Sequence, residues 1–137
     1  MKNNVWVLFS LLLLFAFSAA CAARNSDLSV SNVRTALDKN GEDITSTFSP
    51  SDVIYAVADI VEAPRGTRLH VKWIAVNAEG TDRNYEFDSQ TIELTDETFT
   101  GSTYFELSNA VPWPVGQYRV DLYLNDAFAQ SVEFSVQ

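Results

Sequence analysis

Few side chains in this sequence are able to carry covalent or acid–base chemistry. The chain holds one cysteine, Cys21, and one histidine, His70. A histidine general base needs a nucleophile within reach and a partner that orients it, and the segment "RLHVKWIAV" around His70 offers neither. Its period-two pattern sets His70 opposite Trp73, so His70 reads as an outward-facing surface histidine. A structural zinc site draws its ligands from several Cys and His residues, and one of each does not make a site. Paired carboxylates hydrolyse glycosides, but the 18 Asp and Glu are scattered over turns and strand faces with no pair set apart. The stretch "DKNGED" places Asp38, Asn40 and Glu42 at alternate positions, as the start of a calcium loop does. Its sixth residue is Asp43 instead of Gly and its twelfth is Ser49 instead of Glu, so it reads as a glycine turn between strands. Calcium at a loop end, through Asp43 or Asp52, is the residual alternative. No catalytic set, resident metal or cofactor is expected.

Recognition chemistry is better represented. Trp113 stands between Pro112 and Pro114. It is either an exposed platform for a sugar or peptide or a rigid cap over the open end of a core. Tyr104 and Tyr123 fall on outward positions of their strands and form one aromatic patch if those strands are neighbours. Trp113, Tyr104 and Tyr123 are therefore the candidate contacts of a binding module.

The elements that must position these residues are strands. Beyond about residue 28 the dominant hydrophobic period is two. Leu28, Val30 and Val33 open a first strand. Val53 to Val61 is apolar on both faces apart from Asp59, as the central strand of a sheet is. Arg68 to Val76 places Leu69, Val71, Trp73 and Ala75 inward, and Arg68, His70 and Lys72 outward. Tyr85 to Phe87 and Thr91 to Leu94 read as two short strands, Thr95 to Gly101 as a polar link, and Tyr104 to Leu107 as another strand. Tyr118, Val120, Leu122 and Leu124 alternate with Arg119, Asp121 and Tyr123. Asn125-Asp126 turns the chain into a last strand with Val132, Phe134 and Val136. Turn clusters at "APRGT" and "NAEGTDRN" punctuate the pattern, and no extended helical period follows residue 20. About seven or eight short strands predict an all-β, antiparallel β-sandwich.

The N-terminus is of another kind. Lys2 precedes a thirteen-residue run, Val5 to Phe17, interrupted only by Ser10 and followed by Ser18, Ala19, Ala20, Cys21, Ala22 and Ala23. As a helix the run would be roughly 20 Å long, short of a hydrocarbon core of about 30 Å. A charged start, a short apolar middle and a small-residue exit describe a secretory signal peptide over residues 1–20. Ser18-Ala19-Ala20-Cys21 resembles a bacterial lipobox, with Ser18 where Leu is more usual. The resemblance implies a lipoprotein whose mature chain begins at an acylated Cys21, joined by a tether over 21–27 to a domain over 28–137. An odd cysteine in an exported chain calls for such an explanation. Two or more acyl chains would hold the protein on a membrane of the envelope, inner, outer or cell-surface. The alternative is an ordinary signal-peptidase cut, giving a soluble periplasmic or secreted domain.

From Cys21 onward 117 residues remain, enough for one core without disulfides. They carry 8 Lys and Arg against 18 Asp and Glu, since Lys2 departs with the leader. That surface repels the phosphate backbone, which excludes nucleic acid as a partner.

With these residues in view the chain resembles a recurrent bacterial immunoglobulin-like module of secreted and lipid-anchored proteins. "FSPSDVIYAV", "APRGTRLHVKW" and "VPWPVGQYRVDLYLND" followed by "FSV" carry the likeness. The resemblance implies a disulfide-free immunoglobulin-like or fibronectin III-like sandwich. Its structural anchors would be Trp73 in a middle strand and Tyr118, after Gly116, as a tyrosine corner. It implies no catalytic residues. The reading is a non-catalytic extracytoplasmic domain, binding or accessory to the envelope, with a protein or glycan partner and a membrane held through Cys21. A carbohydrate-binding module is the alternative. An open sandwich also leaves edge strands on which a partner's strand can be added.

Overall fold

The computed structural model describes residues 27–137; the leader, Cys21 and most of the tether lie outside the described residues. Eight strands follow in chain order: β1 (Ser29–Ala36), β2 (Thr47–Phe48), β3 (Ile54–Pro64), β4 (Arg68–Ala78), β5 (Tyr85–Glu93), β6 (Thr98–Leu107), β7 (Gly116–Leu124) and β8 (Ala127–Val136). They form two facing sheets, one ordered β1-β3-β6 and the other β2-β8-β7-β4-β5. Every pairing is antiparallel except the two-residue β2 beside β8. The chain is an all-β, antiparallel β-sandwich with no helix and no disulfide among the described residues.

The alternation read from the sequence sets the core. Ile54, Ala56, Ala58 and Ile60 of β3 face Leu69, Val71, Trp73 and Ala75 of β4, with Tyr118, Val120 and Leu122 of β7 beside them. Burying such side chains supplies about 1.5–3 kcal/mol each for the large aliphatic and aromatic ones, which is how a chain without disulfides is held together. Trp73 is fully buried, edge-on to Phe134 with ring centroids 6.1 Å apart. Its indole N–H has no acceptor among the described residues. A desolvated donor costs about 1–3 kcal/mol, so the tryptophan serves this position by volume. Tyr118 stacks on Phe134 at 5.3 Å, and its hydroxyl donates to the Pro114 carbonyl at 2.6 Å, a tyrosine corner across the β6–β7 connection. Gly116 lies at the foot of that corner because a Cβ there would come within 2.4 Å of the Ala78 Cα.

Three elements differ from the sequence reading. Tyr85–Glu93 is one strand, with a bulge opposite Trp73 and Ile74, where two short strands were expected. Strand β6 begins at Thr98, so the polar stretch before Tyr104 is mostly strand. Its Thr- and Ser-rich half lies on the edge of the smaller sheet, where one flank meets water and apolar alternation is not required. β2 is an added two-residue strand that fastens the connection after β1 to the end of β8.

Candidate functional site

The outer face of the five-stranded sheet carries a row of rings. The register aligns Thr91, His70 and Tyr123 across β5, β4 and β7, and continues to Phe128 on β8. His70 Nδ1 is 2.7 Å from Thr91 Oγ1. The His70 and Tyr123 rings are 5.9 Å apart, and Tyr123 meets Phe128 edge-to-face at 5.8 Å. Lys72 Nζ lies 5.7 Å from the Tyr123 ring centroid while pairing with Glu86 at 3.3 Å. Phe128 is 60% exposed. The tight hairpin builds the row: Asn125 and Asp126 both take positive φ, 48° and 69°, as a two-residue turn with the twist of its strands requires. This sets Leu124 opposite Ala127 and Tyr123 opposite Phe128. A neighbouring row is charged and internally matched. Arg119 grips Asp121 with two hydrogen bonds of 2.8 and 3.1 Å, and Asp121 is buried.

The three predicted contacts do not come together. Tyr123 belongs to the row. Tyr104 is on β6 in the other sheet, edge-to-face with Tyr55 at 5.9 Å, so Tyr104 and Tyr123 form no common patch. Trp113 is 9% exposed and packs into the core. Its backbone N–H donates to Pro50 O at 2.7 Å and its indole N–H to Asp52 O at 3.0 Å. Held at both ends and flanked by prolines, it is the cap over the open end of the sandwich and not an exposed platform. One face of it, with Tyr85, Phe87, Tyr118 and Asn109, lines a shallow apolar cleft of about 190 Å³. Phe128 was missed in the sequence, although the two-residue turn at Asn125-Asp126 fixes its register with Tyr123.

Two of the loop carboxylates, Asp38 and Asp52, are occupied by backbone N–H groups. Asp38 accepts the N–H groups of Asn40, Glu42 and Asp43 at 2.7–3.0 Å. These bonds, Asp43 foremost, hold its carboxyl below the ordinary value of 3.8. Asp52 accepts the Ser49 N–H at 2.7 Å. Among the described residues no group of three or more His, Cys, Asp and Glu is arranged to hold a metal.

The outer face of the three-stranded sheet carries a polar network of its own. Asp59 accepts from Ser102 at 2.6 Å, Asn32 at 2.7 Å and Arg34 at 3.2 Å. Those hydrogen bonds, with Ser102 first, lower its carboxyl pKa. Arg34 also donates to the carbonyls of Asn32, Asn40 and Gly41, fastening the turn after β1. Beneath it Val57 is fully buried, paired with Arg34 on one side and Tyr104 on the other.

Similar folds occur in solved structures. Over 82% of its length the chain matches part of the Pseudomonas fluorescens alkylpurine DNA glycosylase AlkC, solved on DNA containing an abasic site analogue. The TM-score is 0.50 at 9% identity, covering 31% of that protein. Over 80% it matches part of a β-glucosidase from Listeria innocua in complex with gluconolactone, with a TM-score of 0.50 and 14% identity, covering 16% of that protein. The chain thus spans less than a third of either, and the likeness is one of fold. No protein-family model and no curated protein matches the sequence.

Proposed function

We propose that this protein is a non-catalytic, lipid-anchored binding domain of the bacterial envelope, and that it meets a protein partner through the row His70–Tyr123–Phe128. The observation that carries the reading is the row itself. Exposed single aromatics are ordinary, but three aligned rings with a lysine over one of them make an amphipathic surface of the kind that supplies binding hot spots. Phe128 meets Tyr123 edge-to-face and stays 60% exposed, so most of its ring is free for a partner. The carbohydrate alternative loses two of its three contacts, since Trp113 caps the core and Tyr104 faces away on the other sheet. The acidic surface keeps nucleic acid out of the partner class.

The anchoring part of the reading rests on Ser18-Ala19-Ala20-Cys21. Intact mass of the full chain expressed in a bacterial host tests it: a mature start at Cys21 with added acyl mass supports the anchor, and an unmodified start removes it. The binding part is tested by placing a photo-crosslinking phenylalanine at position 128 and, separately, at 104. A discrete adduct with one envelope protein from 128 and none from 104 is expected. Equal adducts from both sites, or none from 128, would overturn it.

A further inference from the structure

A second recognition surface lies on a sheet edge, independent of the aromatic row. Sandwich edges invite foreign strands unless they are blunted by charge, bulges, brevity or cover. Three of the four edges here are blunted. β5 carries Glu86, Asp88 and Glu93. β1 is bulged at Asn32, which takes positive φ. β8 is bulged at Ala129, has β2 on its last two residues, and has β1 alongside. β6 is different: ten residues long, with no charge from Thr98 to Phe105 and no proline. The bulge between β3 and β6 falls at Glu62 on β3, since Ile60 pairs with Gly101 and Ala63 with Phe99. β6 itself is therefore regular.

The side of β6 that is free can be assigned. Gln90 of β5 donates to the Glu106 carbonyl at 2.8 Å, so the Glu106 backbone points away from β3. Strand alternation then turns the backbone groups of Thr98, Thr100, Ser102 and Tyr104 the same way. The same hydrogen bond places β5 opposite this edge. The five-stranded sheet extends past β6, and the inner side of β5 and the link after it, with Phe87, Ile92 and Leu94, is only partly buried. A strand added to β6 would cover that ledge. The charges around it are mostly acidic: Glu106 at one end, Asp96 and Glu97 before the other, and Asp88 on the ledge strand, against one arginine, Arg65, whose backbone N–H donates to the Glu97 carbonyl.

We propose that the β6 edge receives an extended peptide segment of another protein, apolar at alternate positions and carrying Lys or Arg at its ends. Backbone pairing supplies the affinity, the apolar positions cover the ledge, and the basic ends meet the carboxylates. A second copy of this acidic chain fits less well, because it would bring two acidic β5 edges side by side.

The test uses ¹⁵N-labelled protein and the capped peptide Lys-Thr-Val-Thr-Val-Thr-Val-Lys. Saturable shifts and slowed hydrogen exchange are expected at the Thr100, Ser102 and Tyr104 amides, with Thr103 and Phe105 little changed. N-methylation of alternate peptide residues, or Glu for both Lys, should weaken binding about tenfold or more. Ser102→Pro should abolish it, while Ser102→Ala, which loses only the bond to Asp59, retains it. Phe128→Ala should also retain it, which separates this edge from the aromatic row. Three results would overturn the proposal: no alternating response at millimolar peptide, equal binding of the Glu-ended peptide, or concentration-dependent dimers protecting the same amides without peptide.

Discussion

On the three-stranded sheet the outward row Arg34–Val57–Tyr104 is largely satisfied by its own residues: Val57 is fully buried beside Arg34, the guanidinium reaches three carbonyls and one carboxylate, and Tyr104, 44% exposed, leans on Tyr55. On the five-stranded sheet the row Thr91–His70–Tyr123–Phe128 runs outward to a phenylalanine that meets Tyr123 edge-to-face and is left 60% exposed. The two faces draw on similar residue types, and the difference lies in satisfaction. Where donors find acceptors and the apolar group between them is covered, as around Arg34 and Val57, a face stabilises the fold and offers a partner little; only Tyr104, at the end of that row, is left exposed. Where a ring is left 60% exposed, about 1–2 kcal/mol of burial remains to be gained on binding.

The largest test of this contrast is Arg34→Ala. The side chain is 12% exposed and its loss strips four acceptors while uncovering Val57. A destabilisation of about 2–4 kcal/mol is expected, read as a fall in Tm of roughly 10–20 °C for a domain of this size. A fall of only a degree or two would mean that water replaces the guanidinium without cost and that this face is not self-contained.

Next in size is Gly41→Ala. Gly41 has φ +69°, and a Cβ there would lie 2.6 Å from Arg34 Nε. The left-handed backbone costs an L-residue about 1–2 kcal/mol, and displacing the guanidinium adds to it. In an Arg34→Ala background the second part disappears. The double-mutant cycle should therefore show coupling of about 0.5 kcal/mol or more, and strict additivity would separate the turn from the face.

How much of this was legible in the sequence follows from what alternation encodes. Period two reports whether a side chain points in or out, so Trp73, Tyr118, His70 and Tyr123 were placed correctly. It does not report which sheet a strand joins. Tyr104 and Tyr123 were both outward, yet they lie on opposite sides of the molecule. The Arg34–Asp59 pair was illegible for the same reason: the residues are 25 positions apart and meet only because β1 pairs with β3. The first half of β6 was hidden because an edge strand in water need not alternate. Trp113 stood between two readings until its indole N–H was seen on Asp52 O.

Asp59→Asn probes the polar network of the three-stranded sheet through pH. Its carboxyl is held below the ordinary 3.8 by Ser102, Asn32 and Arg34. A lowered folded-state pKa contributes stability that is whole above the unfolded value and is lost as pH falls through the folded one. Wild type should therefore lose stability on acidification below about pH 4, and the variant should lose less. At neutral pH the substitution should cost about 1 kcal/mol. Parallel pH profiles for the two proteins would show that the network does not depend on the charge.

The smallest expected effect on the fold decides most about the open face. Phe128→Ala removes a ring that touches Tyr123 on one side and water on the other, and surface substitutions of this kind stay within about 0.5 kcal/mol. Chemical denaturation should barely separate it from wild type, while the adduct formed through this face should vanish in a variant that keeps the crosslinker at a neighbouring exposed position of the same face, Ser131, which pairs with Asp121. A loss of stability comparable to Arg34→Ala would place Phe128 among the residues that hold the sheet together, and the two faces would then differ in composition but not in purpose.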